Sequence, residues 1–293
     1  MTPSPALTLA FLLLAQPAAV ETKFVQVAPA VKAGREMPQR TPGQPRAVVL
    51  LHGLRLHPIN DANAWHAELA GWESPTSPLV KALGKDADVF AFGYAQHEPV
   101  EEVARAPALR ENIAALKRAG YAEVVLVGYS AGALIARYFV EDSPDCGVTK
   151  VIQVCAPNGG SSWGKLTAGV RQSQEPFLLS LSKESRRAAM RDRADKVIPP
   201  NVEFVCVVGT IGKAGDGLVR SDCQWTRDLQ LQGVPAVVLH TQHVGAMKTK
   251  GAARVLADLI REPQPRWTVA QVEAARTKIL GGRSNLSSAS VGP

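Results

Sequence analysis

Residues 123–141 read EVVLVGYSAGALIARYFVE, and this stretch decides the fold. It opens with an apolar run at 124–127, passes through the pentapeptide GYSAG at 128–132, and continues with apolar residues at helical spacing. A serine nucleophile needs a sharp turn between a strand and a helix, and glycines two positions before and after it let the chain bend without side-chain clashes. The context on both sides makes Ser130 the candidate nucleophile.

Apolar runs alternate with helical patterns through most of the chain. Strands are predicted at Ala47–Leu51, Val89–Phe92, Val124–Val127, Val151–Cys155, Val202–Val208 and Ala236–Leu239. Helices are predicted near residues 76–84, 101–119, 131–141 and 247–261. This alternation predicts an α/β protein with a mostly parallel, doubly wound sheet and helices on both faces.

The other segments flank this central domain, which we place at residues 46–261. The apolar run within residues 1–20 is too short to span a membrane and predicts a signal peptide, hence a secreted or periplasmic protein; the alternative is an apolar N-terminal helix. Residues 21–45 are rich in proline and are predicted to be a linker or surface arm. Residues 262–293 are predicted to hold a C-terminal helix and then, from 281, a disordered tail.

Two further segments carry helical patterns. Residues 160–200 are longer than a simple crossover needs, so they predict either a helical cap over the sheet or ordinary helix packing onto it. Their large apolar residues are Trp163, Leu166, Phe177, Leu178, Leu179 and Leu181. Thr268 and Gln271 have the spacing of a capping box, which predicts a helix running to about Leu280.

Charge and cysteine content limit the classes of partner. The net charge of +7 comes from scattered basic residues, and no nucleic-acid-binding motif accompanies it, so we expect no nucleic-acid partner. Peripheral contact with anionic lipid surfaces stays open. The cysteines, whose spacing fits no metal motif and selects no disulfide pairing, are Cys146, Cys155, Cys206 and Cys223.

A serine hydroxyl needs a general base, and in doubly wound hydrolases the histidine follows the nucleophile in the chain. Only His240 and His243 follow Ser130. His240 closes an apolar strand candidate, whereas His243 lies in the loop just beyond it, where a base can face the carboxyl ends of the strands. We therefore favour His243.

The carboxylate that orients the base should follow a strand between the nucleophile and the histidine. Asp216 lies in a glycine-rich loop after the strand at Val202–Val208, which favours it. An aspartate beside glycine is also an ordinary turn residue, and Asp222 and Asp228 remain the alternatives.

The oxyanion that forms during acyl transfer needs hydrogen-bond donors. One predicted donor is the backbone N–H of Ala131, just after the nucleophile. The second is the backbone N–H of Leu54, because His52-Gly53 ends a buried run and Gly53 allows a tight turn. We expect His52 to hold this loop by hydrogen bonds.

Taken together, these segments resemble the α/β-hydrolase superfamily, in particular its lipase and serine-esterase branch, which includes bacterial lipases and GPI inositol-deacylase-like proteins. The matching segments are LLHGL at 50–54, VGYSAGALIARYF at 127–139, CAPNGGSS at 155–162, GDGLV at 215–219 and HVGAMK at 243–248. Asn158 and Tyr129 stand where members of that branch often have histidine, which bears on substrate preference.

The resemblance implies hydrolysis of carboxylic esters through an acyl-enzyme on Ser130, without a cofactor. No acidic cluster in the sequence predicts the calcium site of some lipases, so no metal ligand is assigned. The alternatives are another acyl hydrolase on the same scaffold, such as a thioesterase, an amidase or a polyester depolymerase, and a catalytically silent binding protein. The sequence does not define the acyl chain or the alcohol of the substrate.

Overall fold

The computed structural model describes residues 20–31, 37–57, 61–162, 172–212 and 214–281. The strands within these ranges are β1 (Thr22–Ala28), β2 (Arg46–Leu51), β3 (Asp88–Tyr94), β4 (Glu123–Tyr129), β5 (Lys150–Val154), β6 (Glu203–Thr210) and β7 (Ala236–His240). They form one sheet in the order β1-β3-β2-β4-β5-β6-β7. Strand β1 is antiparallel to β3, and all other neighbours are parallel.

Helices connect the strands. They are α1 (Pro78–Leu83), α2 (Val100–Arg105), α3 (Pro107–Arg118), α4 (Ala131–Asp142), α5 (Glu175–Ser180), α6 (Lys183–Asp192), α7 (Ser221–Gln224), α8 (Arg227–Leu231), α9 (Lys250–Arg261) and α10 (Val269–Leu280). In the described part of the chain, none of them is long and apolar enough to cross a bilayer.

The sheet separates two hydrophobic cores. Successive side chains of a strand point to opposite faces, so Val49 of β2 enters the core beneath α4 while Val48 enters the core beneath α9. Both side chains are fully buried. A parallel sheet covered by helices on each face therefore carries nearly continuous apolar strands, as the sequence predicts.

Residues 22–28, placed by the sequence in a linker or surface arm, instead form the edge strand β1. Phe24 stacks on Phe90 of β3 with ring centroids 5.2 Å apart, and the Gln26 side chain is buried. The prolines that favoured an arm begin only at Pro29, and the pairing partner β3 is distant in sequence. Tertiary pairing thus decides the conformation of this segment.

Two other differences from the sequence analysis have local causes. The helix predicted over 101–119 is two helices, α2 and α3, because Pro107 cannot continue a helix from its predecessor and instead occupies the first position of α3. Cys155, predicted as a strand residue, follows β5 with a φ of 53°.

The helix predicted from Thr268 is α10, and it begins with the capping box of Thr268 and Gln271.

The described part of residues 160–200 packs against the protein through α5. Phe177 and Leu181 join the core beneath α4, while Leu179 is exposed. The predicted signal peptide over 1–19, the cap residues Trp163 and Leu166 and the tail from 282 lie outside the described residues. All four cysteines of the chain are free thiols.

Candidate active site

Ser130 occupies the turn between β4 and α4. Its φ of 53° is unusual for a residue with a side chain, and its amide donates to the Val154 carbonyl at 2.8 Å. A Cβ added to Gly128 would lie 2.5 Å from the backbone of α4, at the Gly132 carbonyl oxygen and the Ala133 Cα. Gly128, two residues before the serine, must therefore lack a side chain, because α4 comes so close to β4.

Gly132, two residues after the serine, lies even closer to neighbouring backbone, in this case the end of β2. A Cβ there would lie 2.3 Å from the carbonyl oxygens of Leu51 and His52, at the end of β2. A Cβ on Gly53 would lie 2.7 Å from the Ser130 Cβ. These glycines let the first turn of α4 and the loop after β2 touch through their backbones, which places Leu54 beside the serine.

The structure brings Ser130, Asp216 and His243 together in one chain of hydrogen bonds. His243 Nε2 lies 3.0 Å from Ser130 Oγ, and His243 Nδ1 lies 2.7 Å from Asp216 Oδ2. The three residues follow β4, β6 and β7, whose carboxyl ends meet at one edge of the sheet. All three are buried. An ionised carboxylate can only accept a hydrogen bond, so Nδ1 of the neutral ring carries the proton. Nε2 is then unprotonated and can accept the serine proton.

Asp216 is held in the ionised form that orients an imidazole. Its Oδ1 accepts from the amides of Val219 at 2.8 Å and Leu218 at 3.0 Å, and its own carbonyl accepts from the His243 amide at 2.9 Å. Burial by itself raises the pKa of Asp216, but the hydrogen bond and charge of His243 and these amides outweigh burial and lower the pKa below its ordinary value.

The alternative residues are not part of this chain of hydrogen bonds. His240 ends β7 and is exposed. Asp222 pairs with Arg220 at 2.8 Å, and Asp228 pairs with Arg137. The structure therefore places neither of these carboxylates on the His243 ring.

Both predicted oxyanion donors flank the serine. Ala131 is the first residue of α4, and Leu54 lies in the loop that contacts Ser130 through Gly53. Among the described residues, neither the Ala131 amide nor the Leu54 amide donates a hydrogen bond to another protein group. Unpaired amides beside a nucleophile are the donors that an oxyanion requires.

A cavity of about 200 Å³ opens beside Ser130. Most of the side chains that line it are apolar, and they include Leu54, Leu56, Pro157, Leu181, Leu218, Val219 and Val244. Ser130 and His243 supply polar groups at its wall. An apolar cavity with a few convergent polar groups is typical of a small-molecule site.

Two contacts at the site have no signal in the sequence. The Tyr129 hydroxyl donates to the His243 carbonyl at 2.8 Å, which ties the nucleophile turn to the histidine loop. The Cys155 thiol lies beside Asp216, and burial, assisted by that carboxylate, raises the pKa of the thiol well above its ordinary value. Neither contact can be anticipated, because no residue pattern around Tyr129 or Cys155 indicates which distant group it meets.

In the part of the chain that the structure describes, Cys155, Asp216 and His243 form a group that could hold a metal ion. Their ligand atoms lie within 4.8 Å of one another. A metal ion would need the Cys155 thiolate, which burial disfavours, and it would compete with the bond between His243 and Asp216.

No protein-family model matches the chain, and no curated protein matches it in sequence. Solved structures resemble it in fold. The mature form of Bacillus licheniformis lipase BlEst2 aligns with a TM-score of 0.55 at 16% identity, over 78% of this chain and 96% of that one. Phospholipase PlaB from Legionella pneumophila aligns with a TM-score of 0.54 at 15% identity, over 80% of this chain and 62% of that one.

Aspergillus fumigatus lipase B aligns with a TM-score of 0.53 at 16% identity, over 79% of this chain and 56% of that one. The chain thus spans little more than half the length of that lipase. At such identities the likeness concerns architecture and not substrate. The mostly parallel sheet, its helical layers and these neighbours together show that the chain has the α/β-hydrolase fold.

Proposed function

We propose that the protein hydrolyses carboxylic esters through an acyl-enzyme on Ser130. The observation that carries this proposal is the continuous hydrogen-bonded chain from Ser130 Oγ through His243 to Asp216, with contacts of 3.0 and 2.7 Å. Nucleophile, base and orienting acid in this geometry are the machinery of acyl transfer, whichever fold carries them.

In the first half-reaction, Ser130 Oγ attacks the ester carbonyl carbon while His243 Nε2 takes the hydroxyl proton. Asp216 stabilises the resulting imidazolium, and the amides of Leu54 and Ala131 donate to the oxyanion. The tetrahedral intermediate collapses as His243 returns the proton to the departing alcohol. In the second half-reaction, water gives a proton to His243 and attacks the acyl-enzyme, which releases the carboxylic acid and restores the serine.

The lining of the cavity supports an ester with an apolar acyl chain. Seven apolar residues line the cavity beside the serine, and the volume of about 200 Å³ is below the roughly 300–1,000 Å³ of pockets that take drug-sized ligands. We therefore expect esters of short acyl chains to be hydrolysed faster than those of long chains.

A series of p-nitrophenyl esters with acyl chains of two to sixteen carbons tests this proposal, with the matched thioesters alongside. Wild-type protein and Ser130→Ala are assayed together. We expect ester hydrolysis that depends on Ser130 and falls with chain length. Activity that persists in Ser130→Ala would exclude the mechanism, and faster turnover of thioesters would favour the thioesterase alternative.

We also propose export of the protein, on the apolar run within residues 1–20. Expression of the full chain in a bacterial host, followed by N-terminal sequencing of the secreted or periplasmic product, tests it. A mature N-terminus near residue 20 is the expected result. Recovery of the uncleaved chain only from the cytoplasm would contradict it.

A further inference from the structure

The donor that the loop after β2 is proposed to offer to the oxyanion is the Leu54 N–H, which belongs to the peptide group between Gly53 and Leu54. A trans peptide group is planar, with its C=O and N–H pointing in opposite directions. Whatever binds the Gly53 carbonyl on one side therefore determines where the Leu54 N–H points on the other.

Two buried side chains bind the Gly53 carbonyl. Gln96 Nε2 donates to it at 3.0 Å, and His52 Nδ1 lies 2.8 Å from it. A carbonyl can only accept, so Nδ1 carries the proton. Burial lowers the pKa of His52 to about 4, which leaves the ring neutral near pH 7. The carbonyl is thus held by His52 from its own loop and by Gln96 from the segment after β3.

Gln96 also binds the backbone on the far side of Leu54. Its Oε1 accepts from the Arg55 amide at 2.9 Å and from Gln174 Nε2 at 3.2 Å. Since the Arg55 amide can only donate and the Gly53 carbonyl can only accept, the orientation of the Gln96 side-chain amide is determined by its partners. The planar side-chain amide of Gln96 therefore bonds the backbone on both sides of Leu54, at Gly53 and at Arg55.

The position of Gln96 suits this task. It lies two residues beyond the end of β3, next to β2 in the sheet, and its side chain is buried. Its own amide donates to the Ala64 carbonyl at 2.7 Å, which fixes the main chain that carries it. The side chain reaches none of the groups that would react, so any influence on catalysis passes through the Leu54 amide.

We infer that Gln96 is a positioning residue that aims the Leu54 N–H at the oxyanion. The inference rests on the proposed function. Loss of a whole oxyanion donor typically lowers kcat by about 10²- to 10³-fold, so a misdirected donor should cost about 10- to 100-fold. Because the ester carbonyl gains its charge only in the transition state, the loss should appear in kcat rather than in KM.

The test compares Gln96→Met with Gln26→Met. Methionine keeps the length of the side chain and removes its hydrogen bonds. Gln26 is an equally buried glutamine on β1, bonded through both amide atoms to the backbone of Gln39, at 2.7 and 2.9 Å. It pairs with Phe90, near the amino end of β3, whereas Gln96 follows the carboxyl end. Gln26→Met therefore shows what the loss of a buried amide does when that amide lies away from the site.

Four quantities are measured for each variant: kcat and KM for the best p-nitrophenyl ester, Ki for a trifluoromethyl ketone of the same acyl chain, and Ki for the corresponding alcohol. The ketone forms an oxyanion on the serine, and the alcohol does not. For Gln96→Met we expect kcat to fall 10- to 100-fold and the ketone Ki to rise by a similar factor, with KM and the alcohol Ki nearly unchanged. For Gln26→Met we expect wild-type values even if its Tm falls.

Equal kcat values for the two variants would overturn the inference, as would a loss confined to KM. If Gln96→Met does not fold, Gln96→Glu is measured instead, since it keeps an acceptor for Arg55 and loses the donor to Gly53; a kcat within threefold of wild type at pH 8 would likewise overturn the inference. Failure of the wild-type protein to hydrolyse any ester would instead contradict the proposed function, so the two failures are distinct.

Discussion

The two sides of Ser130 are built in different ways. On one side lie the ionisable side chains of His243 and Asp216, each within hydrogen-bond distance of the next. On the other side lie backbone amides, whose direction depends on the packing of glycines and on buried side chains such as Gln96. We call these the side-chain half and the backbone half of the site.

This difference determines how each half can be damaged. In the side-chain half, one substitution removes a chemical group outright. In the backbone half, every substitution except one to proline leaves the N–H donor in place, so the amide is affected mainly through the residues that support it. Substitutions should therefore cause large catalytic losses in the first half and mainly losses of folding or orientation in the second.

The largest effect is expected from His243→Ala. Removing the proposed base should lower kcat by about 10⁵- to 10⁶-fold, which is the size of loss seen when the base of a serine hydrolase is removed. His240→Ala is the control, because His240 is exposed at the end of β7 and should change kcat by less than threefold. Steady-state ester hydrolysis measures both. The opposite ranking would transfer the role of base to His240.

A smaller loss, about 10⁴-fold in kcat, is expected for Asp216→Asn. The amide keeps the shape of the carboxylate but no longer stabilises the imidazolium. Asp222→Asn is the matched control, since Asp222 pairs with Arg220 on the surface. Measured by the same assay, a loss at Asp222 that equals the loss at Asp216 would show that the acid has been misassigned.

In the backbone half, Gly132→Ala should lower the free energy of unfolding. The added Cβ would lie 2.3 Å from the Leu51 and His52 carbonyl oxygens, and relieving such an overlap typically costs about 1–3 kcal/mol or more. Gly251→Ala, in α9 with open space around it, should instead be neutral or stabilising by up to about 1 kcal/mol. Urea unfolding measures the stability of both variants, and equal stabilities would contradict the close contact of Gly132 with the end of β2.

The smallest effect concerns Glu73, a buried residue near Tyr94, whose hydroxyl donates to the His52 carbonyl in the backbone half. Burial raises the pKa of Glu73 well above its ordinary value, although the Ala70 amide opposes the shift. The unfolded chain releases this proton near pH 4.5, so the folded state loses stability as pH rises from there towards the raised pKa.

Glu73→Gln removes this penalty and keeps an acceptor for the Ala70 amide. We expect its Tm to exceed that of the wild type by a few degrees at pH 8 and to match it at pH 4. Calorimetry at the two pH values measures the difference. A variant that is less stable than wild type at pH 8 would mean that Glu73 is charged in the folded protein.

The sequence predicts the central sheet well because its signals are local. The six parallel strands appear as apolar runs whose bounds agree within two residues. Ser130, Asp216 and His243 were predicted from their order and from the loops that carry them, and the structure brings them together. The side-chain half thus follows from residue types that the sequence displays directly.

The backbone half and the sheet edge are harder to predict because they depend on distant contacts. Strand β1 has only a short pattern, and its pairing with β3 decides its conformation. Gln96 resembles any polar residue after a strand, and its bonds to Gly53 and Arg55 cross more than forty positions of sequence. Tertiary packing fixes both, and no local propensity encodes it.

The contact between α4 and the loop after β2 also has a kinetic consequence. Gly132 packs against the Leu51 and His52 carbonyls and Gly53 packs against Ser130, so the proposed nucleophile and the loop that carries the proposed Leu54 donor are in direct contact without a bound substrate. If these amides form the oxyanion hole as proposed, we expect it to be assembled before the substrate binds. A soluble monomeric ester should therefore give linear progress curves from the first turnover, without a lag.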